Sequence, residues 1–237
     1  ASTASLRTSI VEALYANEAN GTAKAVVLIG GRGVFSIGTS LETEPEAGAP
    51  LLVDVCDRVE AMPIPVVAAL NGAALGNGFE LAIAAHYRLV SPSSRLGAPE
   101  ITIGLVPSGG ATQRLPKLVG GVAALKLLLS GRSVNGPSAV KLGLADKLIE
   151  GDLREGAIAF AEQVAASTEP LPRNSQRRDR LGKGGAFLEA VAQHKAAAER
   201  TALQAPKRLI ECIEAALLLP YDIGRGLEAA AFDDLVQ

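Results

Sequence analysis

Residues 65–89 read PVVAALNGAALGNGFELAIAAHYRL, and the parsing of this stretch decides the fold. It opens on an apolar run, PVVAAL, which reads as a buried strand. The GNG triplet at residues 76–78 then bends the chain into GFELAIAAH, an apolar helix, and YRLVSP follows as another strand. Strand, helix and strand in such short order imply a crossover connection and a largely parallel sheet. Glu80 falls in the first turn of the helix. Two readings of it stand side by side. It complements the helix dipole, or it is an acid/base group beside an anion-binding turn.

The same alternation extends on both sides. Residues 9–19 can form a helix. Residues 23–31, AKAVVLIGG, read as a buried strand ending in glycines, and LLVDVCDRVEAM as an amphipathic helix stopped by Pro63 and Pro65. Residues 42–50, ETEPEAGAP, form an acidic loop. SRLGAPE reads as a short strand, PSGGATQRLPKLVG as a second Gly-rich helix start, and VAALKLLLSG as a helix closed by Gly131. From residue 171 the chain becomes polar and basic, LPRNSQRRDRLGKGG, and then helical with a break at Leu219-Pro220. The expected organisation is an α/β core over 1–170, a basic linker loop over 171–185 and a helical part over 186–237.

Composition narrows the function. The 237 residues are 48% hydrophobic but only 3% aromatic, so the core is Ala, Leu, Val and Ile. A net charge of −2 argues against nucleic-acid binding. No apolar run approaches the ~18 residues of a membrane span, and no signal peptide or peroxisomal tripeptide is present. Cys56 and Cys212 are isolated, which favours a reducing, cytoplasmic location. With His86 and His194 the only histidines, a His metal site or a His triad is disfavoured.

Three Gly-rich turns remain: FSIGTS, LGNGFE and PSGGATQ. Singly, each is a tight corner. Three in succession favour backbone N–H groups converging on an anionic atom. None is a dinucleotide or Walker loop, so nucleotide sites are poorly supported. Glu80 and Glu100 are both carboxylates set in apolar sequence. They suit general acid/base work around one water, although either Glu taken alone reads as a capping or solvated residue. His86 reads as a buried, hydrogen-bonded side chain, and Arg173, Arg177, Arg178, Arg180 and Lys183 as a solvated cluster.

These motifs, with GPSAVKLGLADKLI, span residues 24–149 in an order that resembles the enoyl-CoA hydratase/isomerase (crotonase) superfamily. HYR at residues 86–88, APKRLIECIEAA and PYDIGRGLEAAAF resemble the hydratase part of peroxisomal-type multifunctional β-oxidation enzymes. The resemblance implies a ClpP/crotonase-like ββα-superhelix core, with the family's first strand missing ahead of Ala1. It implies an acyl-CoA thioester as substrate and no separate cofactor, coenzyme A being part of the substrate. By motif match, the N–H groups of Thr39 and Asn77 form an oxyanion hole, Glu80 activates the water that adds at C3, and Glu100 protonates C2. Phe35, Ile37, Gly38, Gly76, Pro107 and Gly109 line the substrate and CoA. Asn77 stands where relatives carry Gly, in a left-handed bend that Asn tolerates. Retention of both glutamates favours hydration of trans-2-enoyl-CoA. A 3,2-enoyl-CoA isomerase and a silent acyl-CoA binder are the alternatives, the latter suggested by Thr39, Ser40 and Glu42. Stand-alone relatives imply a homotrimer or hexamer, with neither nucleic acid nor membrane as partner.

Overall fold

The computed structural model describes residues 3–31, 33–38, 48–182 and 184–236. It begins with helix α1 (Ala4–Asn20), capped by the Thr3 hydroxyl, which accepts the Leu6 N–H. Strand β1 (Val26–Ile29) leads to α2 (Leu52–Ala61), and the Pro63-Ile64-Pro65 turn delivers β2 (Val66–Leu70). A strand not anticipated from the sequence, β3 (Ala73–Leu75), precedes α3 (Asn77–Ala84). Then come β4 (Tyr87–Val90), β5 (Arg95–Gly97) and a 3-10 turn at Glu100–Ile103. Helices α4 (Ala111–Val119) and α5 (Gly121–Ser130) follow, then β6 (Val134–Asn135), α6 (Gly136–Leu142) and β7 (Lys147–Leu148). Four helices finish the described chain: α7 (Leu153–Ala165), α8 (Gly185–Ala198), α9 (Gln204–Leu218) and α10 (Tyr221–Val236).

The strands divide between two sheets rather than one. The first has order β1-β2-β4-β7 and is parallel throughout, while the second has order β3-β5-β6. In the second sheet β3 pairs parallel with β5, and β5 antiparallel with β6. The chain therefore steps from one sheet to the other at Asn71-Gly72 and again at residues 91–94, a superhelix of ββα turns. Glycine is required at the first crossing. Gly72 has φ 58°, and a Cβ there would strike the carbonyl oxygen of Gly33.

Strand β2 is buried along its whole length because both faces are covered. Val66, Ala68 and Leu70 join the main core with α2–α5 and α9, while Val67 and Ala69 point to Ala157 and Ala161 of α7. The small side chains keep these layers close, in keeping with a core nearly free of aromatic rings.

Residues 171–182 do more than span a gap. Asn174 is buried, and its amide donates to the carbonyls of Ile83 and Ala85 at 2.8 and 2.9 Å, capping the end of α3. His86 is buried as expected. Its Nδ1 accepts the Val66 N–H at 2.9 Å, and burial pushes its pKa down to about 4, so it stays neutral and structural. Next to it the buried Arg88 guanidinium donates to the Ala85 and Leu144 carbonyls and pairs with Asp146 at 2.9 Å. Arg177 pairs with Asp179 at the surface, and Lys183 lies outside the described residues.

Candidate active site

Two Gly-lined turns and a 3-10 turn meet at the start of α3. The bend itself is at Gly76, with φ 54° and ψ −127°. A side chain is disfavoured there on two counts: the backbone lies in a region L-residues avoid, and a Cβ would sit 3.0 Å from Oε1 of Glu100. Asn77 is therefore the first helical residue, and the left-handed position expected for it belongs to Gly76 instead. Gly38 faces the same point, with its missing Cβ 3.7 Å from the Asn77 nitrogen. Gly78 packs against Ser36, where any Cβ would collide with the Ser36 side chain. A bridge between Ser36 and Ala74 and the Leu75 N–H to Ser36 carbonyl bond (2.8 Å) fix the 33–38 segment beside the bend. Thr39, the other expected oxyanion donor, lies outside the described residues, as do Ser40 and Glu42.

Glu80 is wholly buried one turn into α3. Its Oε1 accepts the N–H groups of Gly109 (2.7 Å) and Ala111 (3.1 Å), and its Oε2 meets the Ser108 N–H at 3.4 Å. Gly109 is required for this approach, since a Cβ there would lie 3.0 Å from the Glu80 carboxyl carbon. Burial pushes Glu80 well above the usual carboxylate range, and the charges of Glu228 and Glu100 push the same way, while the Gly109 and Ala111 N–H groups pull it back.

Glu100 opens the 3-10 turn, and its carbonyl accepts the Leu105 N–H at 3.0 Å. Its Oε2 is buried and has no hydrogen-bond partner among the described residues. Burial raises it to about 7, above the ordinary carboxylate range.

The structure thus brings Gly38, Gly76, Asn77, Glu80, Glu100 and Gly109 together. Pro107 is buried two residues before Gly109. Phe35 packs on the main core, and Ile37 is 63% exposed at the rim. Among the described residues no group of three or more His, Cys, Asp or Glu is placed to hold a metal ion.

Two further features were not anticipated. Glu228 on α10 is 1% exposed and accepts the N–H groups of Gly110 (2.6 Å) and Thr112 (2.8 Å), together with the Thr112 hydroxyl (2.6 Å). Its sequence signal is the one that marked Glu80, a lone carboxylate in an Ala/Leu run, LEAAA. Arg114 on α4 is fully buried. It donates to the Gly109 carbonyl at 3.0 Å and pairs with Asp57 (2.6 Å) and Glu60 (3.2 Å) of α2. The Tyr221 hydroxyl of α10 reaches the same Asp57 oxygen at 2.6 Å, and its ring lies 4.9 Å from the guanidinium. Burial works against the Arg114 charge, but the surrounding anions, led by Glu60, hold the group above its ordinary value.

A Gly-lined bend at the start of a helix, beside two buried glutamates, marks a class of site in which carboxyls and backbone meet at one point. The chain belongs to the enoyl-CoA hydratase/isomerase family, whose sequence model matches residues 1–174. It is 40% identical to the zebrafish (Danio rerio) peroxisomal bifunctional enzyme over 208 residues, 84% of this chain and 28% of that protein. It is 35% identical to the human protein of the same name over 222 residues, 91% of this chain and 30% of that one. The chain therefore spans about a third of the length of these relatives. Among solved structures, the enoyl-CoA hydratase of Bacillus anthracis superposes with a TM-score of 0.64 at 25% identity, covering 99% of this chain and 81% of that one.

Proposed function

We propose that the protein is an enoyl-CoA hydratase that adds water across trans-2-enoyl-CoA to give 3-hydroxyacyl-CoA. The observation that carries this reading is the pair of buried carboxyls, Glu80 and Glu100, facing one Gly-lined bend with unlike hydrogen-bond supplies. Glu80 has two close N–H donors that pull against the burial and neighbouring charges raising it, while Glu100 has an unpartnered oxygen and is raised by burial to about 7.

In this reading the thioester oxygen accepts the N–H of Asn77 and, by family resemblance, that of Thr39. Glu80 takes a proton from water as its oxygen bonds to C3. The C2–C3 π pair moves onto the thioester as an enolate. Each preorganised donor to that oxygen is worth ~10²–10³ in rate. The enolate collapses as Glu100 delivers its proton to C2. Glu80 then returns its proton to Glu100, and the site is reset. The Gly38 and Gly76 backbones bound the reacting carbons, and Phe35, Ile37, Pro107 and Gly109 border the acyl chain and CoA.

The free, buried thiols of Cys56 and Cys212 suit a reducing setting, and the cytoplasm is the compartment we propose. A homotrimer or hexamer is the assembly the family suggests, and light scattering tests it. The decisive experiment follows the enoyl-thioester absorbance of crotonyl-CoA, with longer 2-enoyl and 3-enoyl substrates beside it. Loss of absorbance with water addition at C3 supports the hydratase. Turnover of 3-enoyl substrates alone makes the site an isomerase, and binding without turnover of either makes it a silent acyl-CoA binder.

A further inference from the structure

We infer that Glu228 is a positioning residue for this site: from helix α10 it grips the 108–112 turn opposite Glu80, holding the donors of the proposed base in place and setting a second carboxylate against it. The inference rests on the hydratase reading and assigns α10 a part in it.

Beyond the long Ser108 contact of Glu80, the two glutamates take the N–H groups of residues 109–112 in turn. Glu80 accepts from residues 109 and 111, and Glu228 from residues 110 and 112. Helix α4 begins at this turn and has no side-chain cap of its own, so Glu228 supplies one from 118 residues downstream. The grip is exact in register because α10 lies close. A Cβ on Gly224 would collide with the Gln113 amide, and one on Gly110 would meet the Arg114 guanidinium and, at 3.0 Å, the Tyr221 hydroxyl. Tyr221, Gly224 and Glu228 thus meet residues 110–114 as one stripe at helical spacing. If Glu228 lets go, the N–H groups of residues 110 and 112 lose their acceptor, and the interleaved donors at 109 and 111 move with them.

The second effect is electrostatic. The charged and titratable groups around Glu228 are Glu80 on α3, Glu100 on the 3-10 turn, Arg114 on α4, Cys56 on α2 and Cys212 on α9. On α10 itself Arg225 is turned to Asp57, 3.1 Å away. Among these the charge of Glu228 is the largest of the neighbouring charges that raise Glu80. Burial also raises Glu228, and the Thr112 and Gly110 donors and Arg114 oppose that.

The test is Glu228→Gln. Whichever way the amide is turned, its NH₂ faces a backbone N–H of residue 110 or 112, so the turn loosens and kcat for crotonyl-CoA falls about 10- to 100-fold. With one negative charge gone, Glu80 releases its proton more easily, and the acidic limb of kcat/KM moves to lower pH. A fallen kcat with the acidic limb unmoved makes Glu228 a structural cap only and overturns the proposal.

A second measurement needs no Glu228 variant. In a Glu100→Gln background with ¹³C-labelled glutamate carboxyls, the Glu80 resonance, assigned by its loss in Glu80→Gln, titrates in two steps because Glu228 titrates against it. A single step overturns the proposal. A wild-type chain that does not hydrate crotonyl-CoA overturns the hydratase reading, and the carboxyl titration then still decides the coupling.

Discussion

Replacing Glu80 with Gln separates chemistry from architecture at one position. The side chains are isosteric, and the Gln carbonyl can occupy the Oε1 position and keep both the Gly109 and Ala111 bonds, 2.7 and 3.1 Å. Its NH₂ then faces only the Ser108 N–H, whose contact is already long at 3.4 Å. The structural loss is one weak hydrogen bond, no more than ~1 kcal/mol. Removing a charge held against Glu228 and Glu100 offsets it in part. A change of ~1 kcal/mol moves Tm by about 2–4 °C in a chain of this size. The base, by contrast, is gone, and a positioned proton acceptor is worth ~10²–10⁴ in rate. The expected outcome is a Tm within about 4 °C of wild type and kcat for crotonyl-CoA down by at least ~10². Retention of more than a tenth of the activity would place the base elsewhere. A Tm loss beyond about 10 °C, or several kcal/mol, would show that the carboxylate chiefly holds the turn.

Gly76→Ala forces a side chain into a backbone region L-residues avoid and toward Glu100. It should cost ~1–3 kcal/mol in urea unfolding and, with Asn77 as the proposed donor re-aimed, ~10²–10³ in kcat/KM. Glu100→Gln alters how stability depends on pH. Because the folded-state pKa is about 7 against an ordinary 4.5, the folded chain holds the extra proton between those values. The stability contribution of Glu100 is thus full below about 4.5 and lost as pH rises through about 7. His86, pushed down to about 4, has the opposite sign, so the Tm difference between wild type and variant is the quantity to follow, and it should shift in the variant's favour from pH 5 to pH 8. Arg114→Ala leaves the buried Glu60 with only the Ser175 N–H, while Asp57 keeps Tyr221 and Arg225, and it should lower the unfolding free energy by ~3–5 kcal/mol in a urea titration. Asp57→Asn, at a half-buried position, should cost less.

The sequence displays the parts of this fold that depend on local pattern. PVVAAL announces a buried parallel strand, and the Pro63-Ile64-Pro65 and Gly131 stops fall where helices end. AKAVVLIGG announces a strand as well, but not a buried one: β1 is the edge of its sheet, half-buried along Val26–Leu28 and exposed at Ile29. What it conceals is partnership at long range. Three residues, Ala73–Leu75, are too short for a periodic signal, so β3 and the second sheet are visible only once β5 is beside them. The LPRNSQ segment looks solvated because its charges face out, yet Asn174 points inward to the end of α3. At the site, the glutamates and glycines stand out because a carboxylate in an apolar run and a repeated Gly turn are local features. Glu228 carries the same local mark, but its partners at residues 110 and 112 lie 118 and 116 positions away, and no spacing rule connects them. Asn77 shows the converse error. The departure from Gly draws the bend onto residue 77, whereas the backbone places it one residue earlier, at Gly76.

The distance between the 108–112 turn and Glu228 also has a meaning for synthesis. A ribosome adds ~5–20 residues each second, so the turn waits roughly 6–24 s for its second carboxylate. Without Glu228 the N–H groups of residues 110 and 112 have water as their acceptor. A nascent chain that stops before α10 already carries both proposed catalytic glutamates but not Glu228, the carboxylate bonded to residues 110 and 112. Of the elements that meet at this turn, α10 is thus the last to leave the ribosome, and it reaches back to residues that the first half of the chain supplies.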